Sequence, residues 1–251
     1  MKLVYPLRLQ VYLAKSGCGS RRSCETLITS GRVTVNTKRV TELGTKVDEE
    51  DVVMVDDQLV EPSEKTYYYA LHKPKGFVCT NWDPNEKNYA RDLIDIPDKN
   101  LLFHIGRLDK DSSGLILFTN DGDVAQKIMH PSEEIEKEYL VSCTTGVRRE
   151  DLDEARKGVL IDMPQPYTIK RFEIISKKWV RIILTEGKNR EIRKILSHYG
   201  YEVKQLVRMR IGCIELGDLK PGQYRTVTSS EIKALLNGEN DILRKSSGRG
   251  W

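Results

Sequence analysis

The chain has 251 residues, 39% of them hydrophobic and 31% charged, with a formal net charge of +4 at pH 7. That balance is expected of a soluble globular protein and excludes a disordered or fibrous chain. No apolar run approaches the roughly 18 to 20 residues that a membrane span needs, which excludes a membrane role.

The length suits two domains or one large one. The N-terminus has polar breaks and no signal-peptide core, so a cytoplasmic protein is expected. Cys18, Cys24, Cys79, Cys143 and Cys213 form no Cys-x-x-Cys pair, which points to free thiols instead of a disulfide framework or a metal site. A monomer is expected.

Residues 7–15 read as a short helix with apolar Leu9, Val11 and Leu13, broken at Gly17-Cys18-Gly19. Ser20 can cap a second helix through Leu27 and Ile28 to a stop at Gly31. Residues 32–40 alternate as a strand, a turn and a second strand, and 52–55 make another. Residues 1–61 thus form one compact unit, followed by a linker at 62–66. From residue 67 the texture changes. Strands are predicted at 67–72, 115–119, 139–144, 169–176, 180–185 and 203–210. Helices are predicted at 124–129 and at 190–199, the latter with Asn189 as cap and Gly200 as stop. Strands outnumber helices without strict alternation, so 67–238 is expected to be an α+β domain with a mainly antiparallel sheet. Residues 239–251 are polar and rich in Gly and Ser, and are expected to be a disordered tail.

Charge is unevenly spread. Residues 1–46 hold nine Lys or Arg against two acids, Glu25 and Glu42, while 47–61 hold seven acids and no base. Arg21 and Arg22 follow the cap Ser20, where cations oppose the helix macrodipole at a cost of about a few tenths of a kcal/mol. An anionic ligand would offset that cost, and free N–H groups at this end attract anions too, so phosphate is the obvious candidate. Lys15, Arg32, Lys38 and Arg39 extend the patch. Residues 8–54, above all Ser20-Arg21-Arg22 and Gly31-Arg32-Val33-Thr34-Val35-Asn36, resemble the S4 RNA-binding domain, a family that grips structured RNA with this helix pair and loop. Thr37 departs from the pattern, standing where glycine is common.

The run 106–122, Gly-Arg-Leu-Asp-Lys-Asp-Ser-Ser-Gly-Leu-Ile-Leu-Phe-Thr-Asn-Asp-Gly, reads as a polar loop feeding an apolar strand. Asp109 stands between Arg107 and Lys110, cations that favour an ionised carboxylate able to act as nucleophile or base. The same residues also fit an ordinary turn with a salt bridge. The run closely resembles the segment that carries the catalytic aspartate in the RNA pseudouridine synthases of the RsuA, RluB, RluE and RluF family. The likeness extends to about residue 235. Lys73-Pro74-Lys75-Gly76 is similar to that family's first motif, 136–141 (Glu-Lys-Glu-Tyr-Leu-Val) to the segment with its tyrosine, and 186–194 (Glu-Gly-Lys-Asn-Arg-Glu-Ile-Arg-Lys) to the segment with its arginine.

On the predicted helix 190–199, Ile192, Ile195, Leu196 and Tyr199 form one apolar stripe, with Arg193 about 100° from its centre and Arg190 and Lys194 further away. Arg193 is therefore the basic residue placed to meet a buried carboxylate, in agreement with the arginine–aspartate ion pair that the resemblance implies for Arg193 and Asp109. The resemblance implies that a uridine is flipped out of structured RNA, stacked on Tyr139, cleaved at C1′–N1 with the help of Asp109 and rejoined through C5. No metal or organic cofactor is implied. Asp109, Tyr139 and Arg193 are the expected catalytic residues; Lys73, Lys75, Arg107, Arg190, Lys194, Arg21, Arg22 and Arg32 are the expected RNA contacts. Within the family the chain looks most like the RluF branch, which points to large-subunit ribosomal RNA, with tRNA as a further possibility.

Other readings fit less well. His104-Ile105-Gly106 resembles the start of the HIGH motif of aminoacyl-tRNA synthetases, but Arg107 occupies the fourth position and no KMSKS-like partner follows. A methyltransferase would need a glycine-rich cofactor loop that is missing. An inactive RNA-binding or ribosome-assembly factor remains the alternative, and the presence of Asp109, Tyr139 and Arg193 weighs against it.

Overall fold

The computed structural model describes residues 3–80 and 83–239. Apart from Glu239, the expected tail lies outside the described residues. The described residues fall into two compact units. One runs to Tyr67 and takes in Asp95–Phe103; the other holds Tyr68–Ile94 and the chain from His104 onward. The segment Asp95–Phe103, read from the sequence as part of the second domain, thus packs with the first unit. No helix among the described residues is long and apolar enough to cross a membrane.

In the first unit, β1 (Leu7–Arg8) leads into α1 (Leu9–Lys15), followed by α2 (Arg21–Thr29). Helix α1 begins two residues later than expected, and its buried face is Leu9, Tyr12 and Leu13, spaced i, i+3, i+4, with Val11 on the flank. Ser20 caps α2 as its residue type foretold, its Oγ accepting the Ser23 N–H at 3.1 Å. Strands β2 (Val33–Val35), β3 (Lys38–Val40), β4 (Lys46–Val47), β5 (Val53–Val55) and β6 (Gln58–Leu59) follow. Leu9, Leu13, Cys24, Ile28, Val33, Val47 and Val53 form the core. The β2–β3 turn places Asn36 and Thr37 at φ of 49° and 69°. A β-branched residue is strained in that left-handed region, which accounts for the usual preference for glycine at the position of Thr37.

The second unit is built on β7 (Tyr68–Lys73), β8 (Phe103–Ile105, whose first residue clusters with the other unit), β9 (Ser113–Thr119), β10 (Lys137–Cys143), β11 (Arg171–Ser176), β12 (Trp179–Leu184), β13 (Val203–Ile211), β14 (Ile214–Glu215) and β15 (Tyr224–Thr226). They form one sheet in the order β11-β12-β10-β13-β9-β7-β15, with β14 on β13 and β8 on β9. The β9–β13 pair is parallel, and the other pairs along that order are antiparallel. The fold is the expected α+β, mainly antiparallel one. Helices α3 (Gly122–Met129) and α5 (Glu191–His198) lie within two residues of where periodicity put them. Asn189 is not the cap of α5: left-handed Arg190 holds that position and no side chain caps the helix, whereas Asp121 caps α3 through the Asp123 and Val124 N–H groups. Helices α4 (Arg149–Lys157) and α6 (Ser229–Leu236) escaped the sequence reading. Helix α4 buries only Leu152, Ala155 and Asp151, too thin a stripe to register; α6 begins with a capping box between Thr228 and Glu231.

Two details of the sheet shape the site. Ser113 and Gly114 pair with Val207 and Arg208 in the parallel ladder. Gly114 has φ of 109°, and a Cβ there would lie 2.3 Å from the Arg208 carbonyl oxygen, so only glycine permits this approach. The β10–β13 ladder also slips between Glu138 and Tyr139: Glu138 pairs with Arg210 and Tyr139 with Arg208, leaving Met209 as the extra residue. A bulge reverses the phase of side-chain alternation. Arg210 accordingly meets Glu136 and Glu138 at 3.1 and 3.2 Å, while Arg208 lines the cleft with Tyr139.

Candidate active site

A cleft of about 740 Å³ opens in the second unit, lined by Asp109, Tyr139, Arg190 and Arg208 among others. Asp109 stands on the loop between β8 and β9, where its carbonyl accepts the Ser112 N–H at 3.1 Å. The loop feeds β9, whose Leu115, Ile116, Leu117 and Phe118 are fully or almost fully buried, so the polar segment is anchored by an apolar strand. Tyr139 presents its ring to the same cleft and is 8% exposed.

The cations flanking Asp109 in sequence are not its partners. Lys110 reaches Glu86 at 2.7 Å, and the Arg107 side chain is exposed at the cleft. The arginine that reaches Asp109 is Arg190, with Nη1 3.5 Å from Oδ2; it also grips Asp111 at 3.1 Å. Arg193 instead meets Asp111 at 3.3 Å and donates to the carbonyls of Asp111 and Val203, each at 3.2 Å. The expected Arg193–Asp109 pair is therefore replaced by Arg190–Asp109. The cause is local: Arg190 takes a left-handed conformation, φ 51°, and α5 begins only at Glu191. Counting Arg190 as a helical residue gave it the wrong direction.

Several expected RNA contacts are engaged elsewhere. Lys73 is fully buried, its Nζ donating to the carbonyls of Pro74 and Phe77 at 3.0 and 2.8 Å, and burial holds its ammonium below the ordinary lysine range. It pins a loop and offers RNA nothing. Lys194 is bound to Asp162 at 2.7 Å and to the Tyr167 hydroxyl at 3.1 Å. Arg32 forks onto Asp56, one of the acids that follow the basic stretch. Lys75 is exposed, its Nζ 3.3 Å from the Lys204 carbonyl. Arg21 and Arg22 are exposed in the first turn of α2, which holds no acid.

Other cleft residues gave no sign of themselves in the sequence reading. Lys137 is pushed down to about 8 by burial, with the nearby Arg208 adding to the effect; its Nζ donates to the carbonyls of Ile135 and Thr185 at 3.1 and 2.9 Å. The Glu191 carboxyl is pushed up to about 7 by burial. Arg208 runs beneath the Asp109 loop, donating to the carbonyls of Leu115 at 2.7 Å and Arg107 at 3.3 Å. Only the strand alternation of Lys137 with Tyr139 hinted at the first of these.

An RNA-gripping module joined to a catalytic unit with a carboxylate, a tyrosine and an arginine at one cleft describes an RNA-modifying enzyme. Residues 67–198 match the family model for RNA pseudouridylate synthases, and residues 7–53 match the S4 domain. An uncharacterized RNA pseudouridine synthase of Mycobacterium tuberculosis is 41% identical over 236 residues, covering 91% of this chain and 92% of that protein. The dual-specificity RNA pseudouridine synthase RluF of Escherichia coli K12 is 36% identical over 97% of this chain and 84% of its own length. Ribosomal large subunit pseudouridine synthase B of Bacillus subtilis is 37% identical over 91% of this chain and 95% of its own. A crystal structure of a pseudouridylate synthase superposes with a TM-score of 0.68 at 29% identity, covering 91% of this chain and 99% of that one. The chain belongs to the RNA pseudouridine synthase family, with an S4 domain at its N-terminal side, and is an isomerase acting on RNA.

Proposed function

We propose that this enzyme converts a uridine of large-subunit ribosomal RNA to pseudouridine in the cleft of Asp109. The observation that carries this reading is the convergence of Asp109 and Tyr139, thirty positions apart in sequence, on one cleft of about 740 Å³, roomy enough for a flipped nucleotide. Tyr139 offers a ring to stack on the uracil. Asp109 assists cleavage of the C1′–N1 bond, and Arg190 holds its carboxylate in place. The uracil then turns, and C5 bonds to C1′. Arg21 and Arg22, together with Lys75 and Arg107, supply contacts to phosphate. The name of the Bacillus relative, a ribosomal large subunit pseudouridine synthase, supports ribosomal RNA as substrate, and the dual-specificity name of the Escherichia relative supports a second RNA substrate, for which tRNA is our candidate. A cytoplasmic location fits an RNA substrate and five free cysteines.

The test is Asp109→Asn, which keeps size and removes charge. Tritium release from C5-labelled RNA should vanish while RNA binding stays within a few-fold, because phosphate contacts supply most of the affinity. Turnover by Asp109→Asn would overturn the assignment. Mapping pseudouridines in a strain lacking the gene identifies the RNA.

A further inference from the structure

Three residues that line the cleft carry buried polar atoms without a partner: Ser112 Oγ, Glu191 Oε1 and Arg208 Nη2. Their residues are 1%, 4% and 3% exposed. A buried donor or acceptor left unmet costs about 1–3 kcal/mol, and more when charged, so such groups are rare unless something else completes them.

Arg208 is the sharpest case. Two residues further on, Arg210 is equally buried but neutralised by Glu136 and Glu138. Among the described residues no carboxylate pairs with Arg208. Its Nε and Nη1 are spent on the carbonyls of Leu115, in β9, and Arg107, in the loop that carries Asp109 and Ser112, and Nη2 is left over. The bulge at Met209 sets Arg208 directly across from Tyr139 on the cleft side of the sheet. The fold thus holds an uncompensated guanidinium and a free hydroxyl beside the carboxylate and the ring that receive the nucleotide.

We propose that Arg208 Nη2 and Ser112 Oγ donate hydrogen bonds to a carbonyl oxygen of the flipped uracil and stabilise the negative charge it acquires when the C1′–N1 bond breaks. This rests on the cleft being the uridine site. When that bond breaks, its electron pair leaves with the base, giving a uracil anion with charge spread over N1, O2 and O4. A fixed donor at one of those oxygens is made stronger by the dry surroundings and requires no reorganisation during the step. After the uracil turns, C5 attacks C1′ with an electron pair of the base, the C5 proton departs and N1 takes one up, so the sequence is an isomerisation that needs no oxidant or reductant. Arg208 thereby joins two tasks: it fixes the loop of Asp109 and receives the charge that Asp109 helps to release.

Ser112→Ala separates substrate binding from structure, since a hydroxyl without a partner contributes nothing to the folded state. Its melting temperature should stay level or rise, while the single-turnover rate at saturating RNA falls about tenfold or more. Arg208→Lys keeps the charge but loses the forked donor, and should fall about a hundredfold, the range for loss of an oxyanion donor. The substrate is total RNA from the host lacking the gene, which contains the unmodified target whatever it is, labelled with C5-tritiated uracil. In a second preparation 5-fluorouracil replaces part of the uracil; its C5 has no proton to lose, so once C5 has bonded to C1′ water adds across the resulting N1=C6 bond, and this hydrated rearranged nucleoside is measured by mass spectrometry. Fluorine makes uracil a better leaving group, so both variants should recover relative to wild type on that RNA. Wild-type rates in both variants would overturn the proposal. So would an equal loss on both RNAs, meaning loop positioning alone, or a loss confined to affinity with a flatter salt dependence, meaning a phosphate contact. An active Asp109→Asn control would instead sink the site assignment itself.

Discussion

Arg190 sets Nη1 3.5 Å from Asp109 Oδ2 while its second nitrogen holds Asp111 at 3.1 Å, so one guanidinium ties together both acids of the loop between β8 and β9. Arg193, one turn into α5, holds Asp111 and two main-chain carbonyls and is the more buried of the two, its side chain 14% exposed against 43%. The division predicts different failures. Arg190→Ala should lower kcat by roughly tenfold to a hundredfold with little change in melting temperature, as expected when a group that positions the reacting carboxylate is lost. Arg193→Ala should cost about 2 kcal/mol of stability, because it removes two hydrogen bonds to main-chain carbonyls together with the ion pair to Asp111. Thermal melts and single-turnover rates decide between them. The reverse ranking would mean that Arg193 moves onto Asp109 when RNA binds.

Gly114→Ala tests the close approach of β9 and β13. An added methyl would lie 2.3 Å from the Arg208 carbonyl oxygen, at a φ of 109° that L-residues avoid. The backbone cannot yield as a side-chain tip does, so the variant should lose about 3 kcal/mol or more, or fail to accumulate folded. Urea unfolding of the purified protein measures it; a loss below about 1 kcal/mol would show that the strands can part there without cost.

Glu191 should make stability depend on pH. Burial raises its folded value from 4.5 to about 7, so the native state holds a proton that the unfolded chain has already released. The stabilisation is complete below about pH 4.5 and is lost as the pH rises through about 7. Glu191→Gln stays neutral throughout and can still accept the Lys188 N–H that Oε2 accepts at 3.0 Å. Its unfolding free energy should match the parent near pH 4 and exceed it at pH 8, by on the order of 3 kcal/mol, and its melting temperature should rise accordingly. Parallel melting curves across that range would refute the raised value.

The division of labour between the units can be read from salt dependence. Arg21 and Arg22 are exposed on the first turn of α2 without an acid beside them in that turn. Replacing both by Glu should lower the log–log salt slope of RNA binding by about two units and raise KM steeply, with kcat within about tenfold. Arg32→Glu should do less, since Arg32 is already matched by Asp56. A collapse of kcat at unchanged affinity would mean that the S4 domain shapes the active site instead of delivering RNA to it.

The sequence by itself determined what depends on near neighbours. The Ser20 cap, the Gly31 stop, the strands, the order of the family motifs and the loop carrying Asp109 follow from residue type and short-range spacing, and these hold in the fold. Tertiary structure decided which charges meet. Lys110 stands next to Asp109 in the chain yet pairs with Glu86; Arg190, 81 positions away, reaches the carboxylate. A single left-handed residue directs Arg190, and a single extra residue at Met209 sends Arg208 and Arg210 to opposite faces; neither has a periodic signature. Burial, likewise, is a property of packing: Lys73 looks like a surface cation in a polar motif, yet the fold buries it completely, with its Nζ on the carbonyls of Pro74 and Phe77. Ion pairs at long separation depend on angles accumulated along the chain, so a one-residue change of phase reassigns a partner while leaving every local preference satisfied.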